Sequence, residues 1–207
     1  MTEVKTDIST IAGYLHAYFG GTIEQGMGIV EDKLRFIRFE KQIKLFFRAN
    51  EILEKRGLRV PTEFIPQKFM LPLLEAATLE TDNTLQEKWA CLLANAADAS
   101  SAVTMKRSYI SILENLTAFE CTLLDSLAKH EFEGKSMPVN FSRFPEELID
   151  SSTESDANKL SREVEASLNN LMRLGLLYTD NPLTPIPFWV LPSALGREFY
   201  SACSSAT

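Results

Sequence analysis

Histidine is nearly absent from this chain of 207 residues: His16 and His130 are the only two. No GxSxG or equivalent setting accompanies either, so a Ser–His or Cys–His nucleophile pair has no support in the sequence. Cysteine is also sparse. Cys91, Cys121 and Cys203 are odd in number and widely spaced. With no CxxC or CxH pair, they suggest neither a disulfide framework nor a zinc site. Cys91 and Cys121 fall in apolar helical patterns and read as small buried hydrophobes in a reducing compartment. The sequence lacks a GxxxxGK[ST] loop and a GxGxxG after a strand, so no phosphate cradle is expected. The start is interrupted by Glu3, Lys5 and Asp7, unlike a secretory leader. The expectation is a cytoplasmic protein that is not an enzyme, with no cofactor, no metal and no small-molecule substrate.

What is present is a globular balance. Hydrophobic residues make up 45% and charged residues 24%, too apolar for a disordered chain. The net charge of −7 argues against the whole surface clamping nucleic acid. The charge is unevenly placed. Lys33, Arg35, Arg38, Lys41, Lys44, Arg48, Lys55, Arg56 and Arg59 cluster in one stretch, opposed there only by Glu40, Glu51 and Glu54. Such a segment either steers an acidic partner, attracts the other part of the chain, or is a solvated helix face.

That basic stretch lies in the strongest helical pattern, residues 30–56, stopped by Gly57. Phe36, Phe39, Ile43, Phe46, Asn50 and Leu53 recur at steps of three and four, a heptad-like seam. Leu34, Ile37, Leu45 and Ile52 widen it, so the helix needs more than one neighbour. Asn50 either fixes helix register or reaches water near the helix end. Phe36, Phe39, Lys41, Ile43, Lys44, Phe46 and Arg48 form the candidate interaction surface. Residues 11–30 are mostly apolar but contain Gly20, Gly21, Gly26 and Gly28. They read as a short helix and glycine-containing connector packed on the body or another copy, with membrane association as an alternative.

Further along, Pro72 predicts a break, with a turn at 66–70 and a helix restarting there to about Leu79. Thr84 with Glu87 fits a capping box, and Leu85, Trp89, Leu92, Leu93 and Ala96 share one helical face. A short helix spans about 105–116. Thr117 with Glu120 caps the next, which ends near Lys129. Residues 131–156 read as polar loop with a helical turn at 145–149. Ser155 or Asp156 would cap a helix carrying Leu160, Val164, Leu168, Leu171 and Met172, ended by Gly175. Two short β-like runs, 176–179 and 188–191, precede a last helix at 193–203.

Helix, connecting segment, helix, hairpin, helix is the order of a winged-helix unit with an added helix. From Ala118 onward, acidic residues outnumber basic ones, and loop 180–187 has no Lys or Arg. Few phosphates would be neutralised, so nucleic acid is disfavoured against a protein partner. Glu75, Glu80, Asp82 and Glu87 could approach one another around the turn at 80–84, but without a histidine they make a thin case for a metal.

The runs EDKLRFIRFEKQIKLFFRANEILEKRG, IPQKFMLPLLEAATLETDNTLQEKWACLLANAAD and SYISILENLTAFECTLLDSLAKH resemble the Abi-alpha family. The resemblance covers about Gly26 to His130. The acidic turn Glu80–Asp82, Trp89 and the LLANA stretch are its most specific parts. LPSALGREFYSAC is similar to that family's closing helix and to winged-helix modules generally. The resemblance implies a bacterial cytosolic protein that limits phage spread, and it carries over no catalytic residue.

The expected architecture is mainly α. Residues 1–29 form a helix and connector, 30–116 a helical Abi-alpha-like core, and 117–207 a small winged-helix-like domain. The expected function is abortive-infection defence by protein–protein interaction and self-association. A winged-helix DNA-binding regulator and a membrane-acting toxin using residues 11–30 are the alternatives.

Overall fold

The computed structural model describes residues 13, 17, 18, 39–132, 138–150, 160–179 and 189–205. The fold is mainly helical. In chain order the described elements are α1 (Phe39–Lys55), α2 (Gln67–Ala77), α3 (Asn83–Ala96), α4 (Arg107–Glu114), α5 (Ala118–Phe132), β1 (Val139–Asn140), β2 (Ile149–Asp150), α6 (Arg162–Arg173), β3 (Leu177–Thr179), β4 (Val190–Pro192) and α7 (Ala194–Ala202). They fall into two compact units, one of residues 1–115 with 202–207, the other of residues 116–201.

In the first unit, α1 packs chiefly on α3. Ile43, Phe46 and Leu53 of the seam are buried, as are Leu85, Trp89, Leu92 and Leu93 on the facing helix. Burying such side chains contributes about 1.5–3 kcal/mol each, so this seam organises the unit. The α1 end follows from Gly57. Its φ of +80° admits a Schellman motif, in which Gly57 N–H donates to the Glu54 carbonyl and Leu58 N–H to that of Leu53. The C-terminal residues join this unit: the Asn95 amide donates to the carbonyls of Ala202 and Ser204, at 2.8 and 3.0 Å.

Two local expectations fail here. Pro72 lies inside α2, which runs unbroken from the Pro66 cap. It costs one hydrogen bond in the middle of the helix, and burial of Met70, Leu73 and Leu74 outweighs that. The α3 cap is Asp82 rather than Thr84. Its carboxylate accepts from the N–H groups of Thr84 and Leu85 at 2.8 and 3.2 Å. An ionised acceptor two residues earlier satisfies those orphan donors better than a hydroxyl at Thr84 would.

In the second unit, the Thr117–Glu120 capping box forms. Thr117 N–H donates to Glu120 Oε2 at 2.7 Å, and Glu120 N–H to Thr117 Oγ1 at 3.2 Å. The four strands form one antiparallel sheet in the order β2-β1-β4-β3. The segment read as polar loop therefore supplies two strands, and the helical turn falls at 143–147 rather than 145–149, where Glu146 and Glu147 N–H both donate to the Arg143 carbonyl, at 3.0 and 3.2 Å. Ser161, not Ser155 or Asp156, caps α6 by accepting from Val164 N–H; residues 155 and 156 lie outside the described residues. Gly175, with φ +76°, ends α6 in a second Schellman motif. The loop 180–187 is also outside the described residues.

Of residues 11–30, only Gly13, Ala17 and Tyr18 are described. Tyr18 is fully buried, its ring 5.1 Å from that of Phe46. No helix among the described residues is long and apolar enough to cross a membrane.

Candidate interaction surface

The structure divides the sequence-derived surface residues. Ile43 and Phe46 turn inward and are core of the first unit, 4% and 0% exposed. This corrects their reading as contact residues. The described part of the seam, Ile43, Phe46 and Leu53, is covered within the chain, so it needs no second copy to cover it. Phe36 and the side chain of Phe39 lie outside the described residues.

Lys41, Lys44 and Arg48 stay together along one edge of α1, beside the turn that joins α2 to α3. Lys41 Nζ donates to the Glu80 carbonyl at 2.9 Å, and Arg48 reaches Asn83 Oδ1 at 3.3 Å. Gln86 Nε2 donates to the same Glu80 carbonyl at 3.1 Å. Lys44 is exposed and pairs with Glu40 one turn earlier, at 2.9 Å. The Lys44 hydrogen bond and charge hold the Glu40 carboxyl below the usual carboxylate range. The cleft between this edge and Leu45, Ala77 and Trp89 is about 20 Å³, room for about one water molecule.

The acidic turn is therefore built from both sides. Glu80 Oε1 accepts from Thr81 and Asp82 N–H at 2.6 and 2.8 Å, while Asp82 caps α3. Both carboxylates are engaged with backbone donors, which is structural work. Among the described residues, no group of three or more His, Cys, Asp or Glu side chains could hold a metal ion. Sequence reasoning missed this clasp because the acceptor for Lys41 is a main-chain carbonyl, which leaves no side-chain signature.

A second charged contact was also missed. Arg56 pairs with Asp98 at 3.2 Å, with side chains 13% and 3% exposed. Thus Lys41, Arg48 and Arg56 all serve contacts inside the first unit. The positive stretch is partly internal cement.

Among the described residues, Phe47 is an exposed large apolar side chain on α1 itself, and Tyr178 on β3 is exposed in the second unit; the more exposed apolar residues of the first unit lie off α1. Val60 and Phe64, between α1 and α2, are 62% and 61% exposed, and Leu79 in the acidic turn is 77% exposed.

Residues 40–187, more than half of the chain, match the family described as abortive infection alpha. The chain belongs to that family. The abortive infection alpha match begins beside Lys41 and takes in the whole clasp of α1 on the acidic turn. It extends past His130 and further through the second unit, to residue 187. No curated protein and no solved structure matches the chain.

Proposed function

We propose that the protein is a non-enzymatic component of abortive-infection defence that works by protein–protein contact and self-association. The family's description supplies the defence role. The observation that carries the contact mechanism is the exposure of Val60, Phe64 and Leu79 on hydrogen-bonded turns. Meanwhile the charged groups of the motif, Glu80, Asp82, Lys41 and Arg48, make structural bonds. Val60 and Phe64 stand on one short segment beside the end of α1, so they are the pair that supports a contact patch; Leu79 stands apart, beside Lys41 near the other end of that helix.

The test combines protection and mass. Cells producing the protein should form fewer plaques, and the purified chain should gain mass with concentration in light scattering. A monomer at every concentration, with no partner crosslinked in infected cells, would remove the contact mechanism. Loss of protection in a folded, normally assembling His130→Gln variant would point to chemistry instead.

The second unit has features that support a winged-helix reading. A capped helix leads to β1, α6 passes through Gly175 into β3, and β4 lies between β1 and β3. One observation favours DNA binding as a second reading. Arg162, Ala166, Asn169 and Arg173 are exposed and fall at helical spacing along α6. Arginine and asparagine are residue types that read base edges. Duplex binding that weakens with salt and disappears in Arg162→Ala/Arg173→Ala would support it.

A further inference from the structure

The exposed end of α6 is tied to a buried carboxylate by a run of hydrogen bonds. Glu120 on α5 is 4% exposed. Its Oε2 accepts from Thr117 N–H at 2.7 Å and from the Thr117 hydroxyl at 3.1 Å. Its Oε1 accepts from the Asn170 amide at 2.7 Å. A carboxylate only accepts, so it fixes which way that amide is turned, with Nδ2 toward Glu120 and Oδ1 away from it. On the far side, Oδ1 accepts from both Nε and Nη2 of Arg173, at 3.0 and 2.7 Å.

Arg173 is exposed. A long exposed side chain loses rotamer freedom when it binds a partner, but this guanidinium is already held along one edge. The acceptor is a neutral oxygen, and no carboxylate among the described residues pairs with Arg173, so its charge is uncompensated. The Nη1 group takes no part in these bonds, and with the second Nη2 hydrogen it can meet two oxygens of one anion. A cation in the last turn also suits the helix dipole. That role needs neither two donors on one oxygen nor a buried carboxylate behind it.

We infer that Asn170, set by Glu120, is a positioning residue that holds Arg173 as a prebuilt contact for a DNA phosphate. The inference rests on the DNA-binding reading and deepens it. Arg173 shares the exposed face of α6 with Arg162, Ala166 and Asn169. Arg162 and Arg173 stand about 16 Å apart along the axis, about three turns on and on the same side. A major groove is about 12 Å wide, so two cations at this separation reach the backbones on its two rims. Asn169 and Ala166 then face the bases between them. Glu163, exposed beside Arg162, opposes this field. A face with so few cations neutralises few phosphates, which makes the orientation of each contact matter more.

Fluorescence anisotropy of the full chain with a labelled mixed-sequence duplex at low salt tests this. Arg173→Ala should weaken binding and lower the salt slope by about 1. Asn170→Ala keeps both arginines, so binding should fall about three- to tenfold while the slope stays. In an Arg173→Ala background the same change should do nothing further, which separates positioning from damage to the fold. Arg173→Lys keeps the charge without the fork at an exposed site; it should lose as much as Asn170→Ala and serves should that variant fail to fold. Glu163→Gln should tighten binding, and an unchanged affinity would move the duplex off this face and overturn the inference. Wild-type affinity in Asn170→Ala or Arg173→Lys, or an Asn170→Ala loss equal in both backgrounds, overturns the positioning role and leaves DNA binding standing. A wild type that never binds the duplex overturns both.

Discussion

The phenol of Tyr18 donates to Asn50 Oδ1 at 2.9 Å, joining residues 32 positions apart in the first unit. The bond gives the polar member of the α1 seam an acceptor role within the chain. Asn50 sits in the apolar stripe because a tyrosine hydroxyl arrives there, with the Tyr18 ring packed on Phe46. Tyr18→Phe keeps the ring and removes the donor. We expect a loss of about 1 kcal/mol in urea unfolding, with an unchanged denaturant slope. A loss near zero would mean that water serves Asn50 equally well.

Glu120 is a buried carboxylate shared between two elements of the second unit. Its Oε2 accepts from Thr117, and its Oε1 accepts from Asn170 Nδ2 at 2.7 Å. Glu120→Gln has the same shape but replaces one acceptor by a donor. Whichever way the amide turns, a donor faces either Thr117 N–H or the Asn170 amide. The expected cost is about 1–3 kcal/mol, read from the thermal midpoint. Glu120→Gln with Asn170→Asp should recover part of it, because the carboxylate introduced on α6 then accepts from the new amide. Absence of any recovery would break the proposed link between α5 and α6.

The sequence was legible where a signal is local. Gly57 and Gly175 each stop a helix because a Schellman motif needs a positive φ at one defined position. Thr117 and Glu120 announce their capping box by spacing alone. The periodicity of Ile43, Phe46 and Leu53 revealed an apolar face, but period says nothing about whether the covering neighbour belongs to the same chain. Periodicity alone therefore cannot separate Ile43 and Phe46, which are core, from an interface. Asp82 displaced Thr84 because both can cap, and local spacing does not rank them. β1 is only two residues long and is defined by pairing with β2 and β4. Val139 and Phe141 are buried there, yet two apolar residues are too few to display strand alternation.

The Arg56–Asp98 pair makes stability depend on acid. Burial pushes the Asp98 carboxyl up, but bonds from the Ser100 hydroxyl and N–H and from Arg56 outweigh it. The carboxyl is therefore held below the usual carboxylate range in the folded chain. Near pH 4 the unfolded chain binds this proton more readily, so stability rises with pH there. The contribution is complete above the unfolded value and fades as pH falls through the folded one. Asp98→Asn leaves a buried guanidinium without its countercharge and should cost about 3 kcal/mol at pH 7. The gap between wild type and variant should narrow in urea titrations repeated toward pH 3. A gap independent of pH would assign the loss to packing instead.

Gly196 is where α7 approaches the chain just before β3 most closely. A Cβ there would lie 2.1 Å from the Leu176 carbonyl oxygen and 3.0 Å from its carbon. That backbone has little room to retreat. Ser193 N–H donates to the same Leu176 oxygen at 2.9 Å, and the Ser193 hydroxyl donates to the Gly175 carbonyl at 2.5 Å. The hydroxyl oxygen also accepts from Gly196 N–H at 2.9 Å, capping the helix. On an open helix, replacing glycine by alanine gains about 1 kcal/mol. At Gly196 the collision reverses the sign, and Gly196→Ala should cost about 2–3 kcal/mol as α7 is pushed off its cap. Gly13 is the control within the same chain: it is helical, and a Cβ there meets nothing within 4 Å. Gly13→Ala should be neutral or mildly stabilising in the same thermal unfolding experiment. If both substitutions stabilise, α7 does not lie this close to Leu176, and the packing of the second unit described above is wrong.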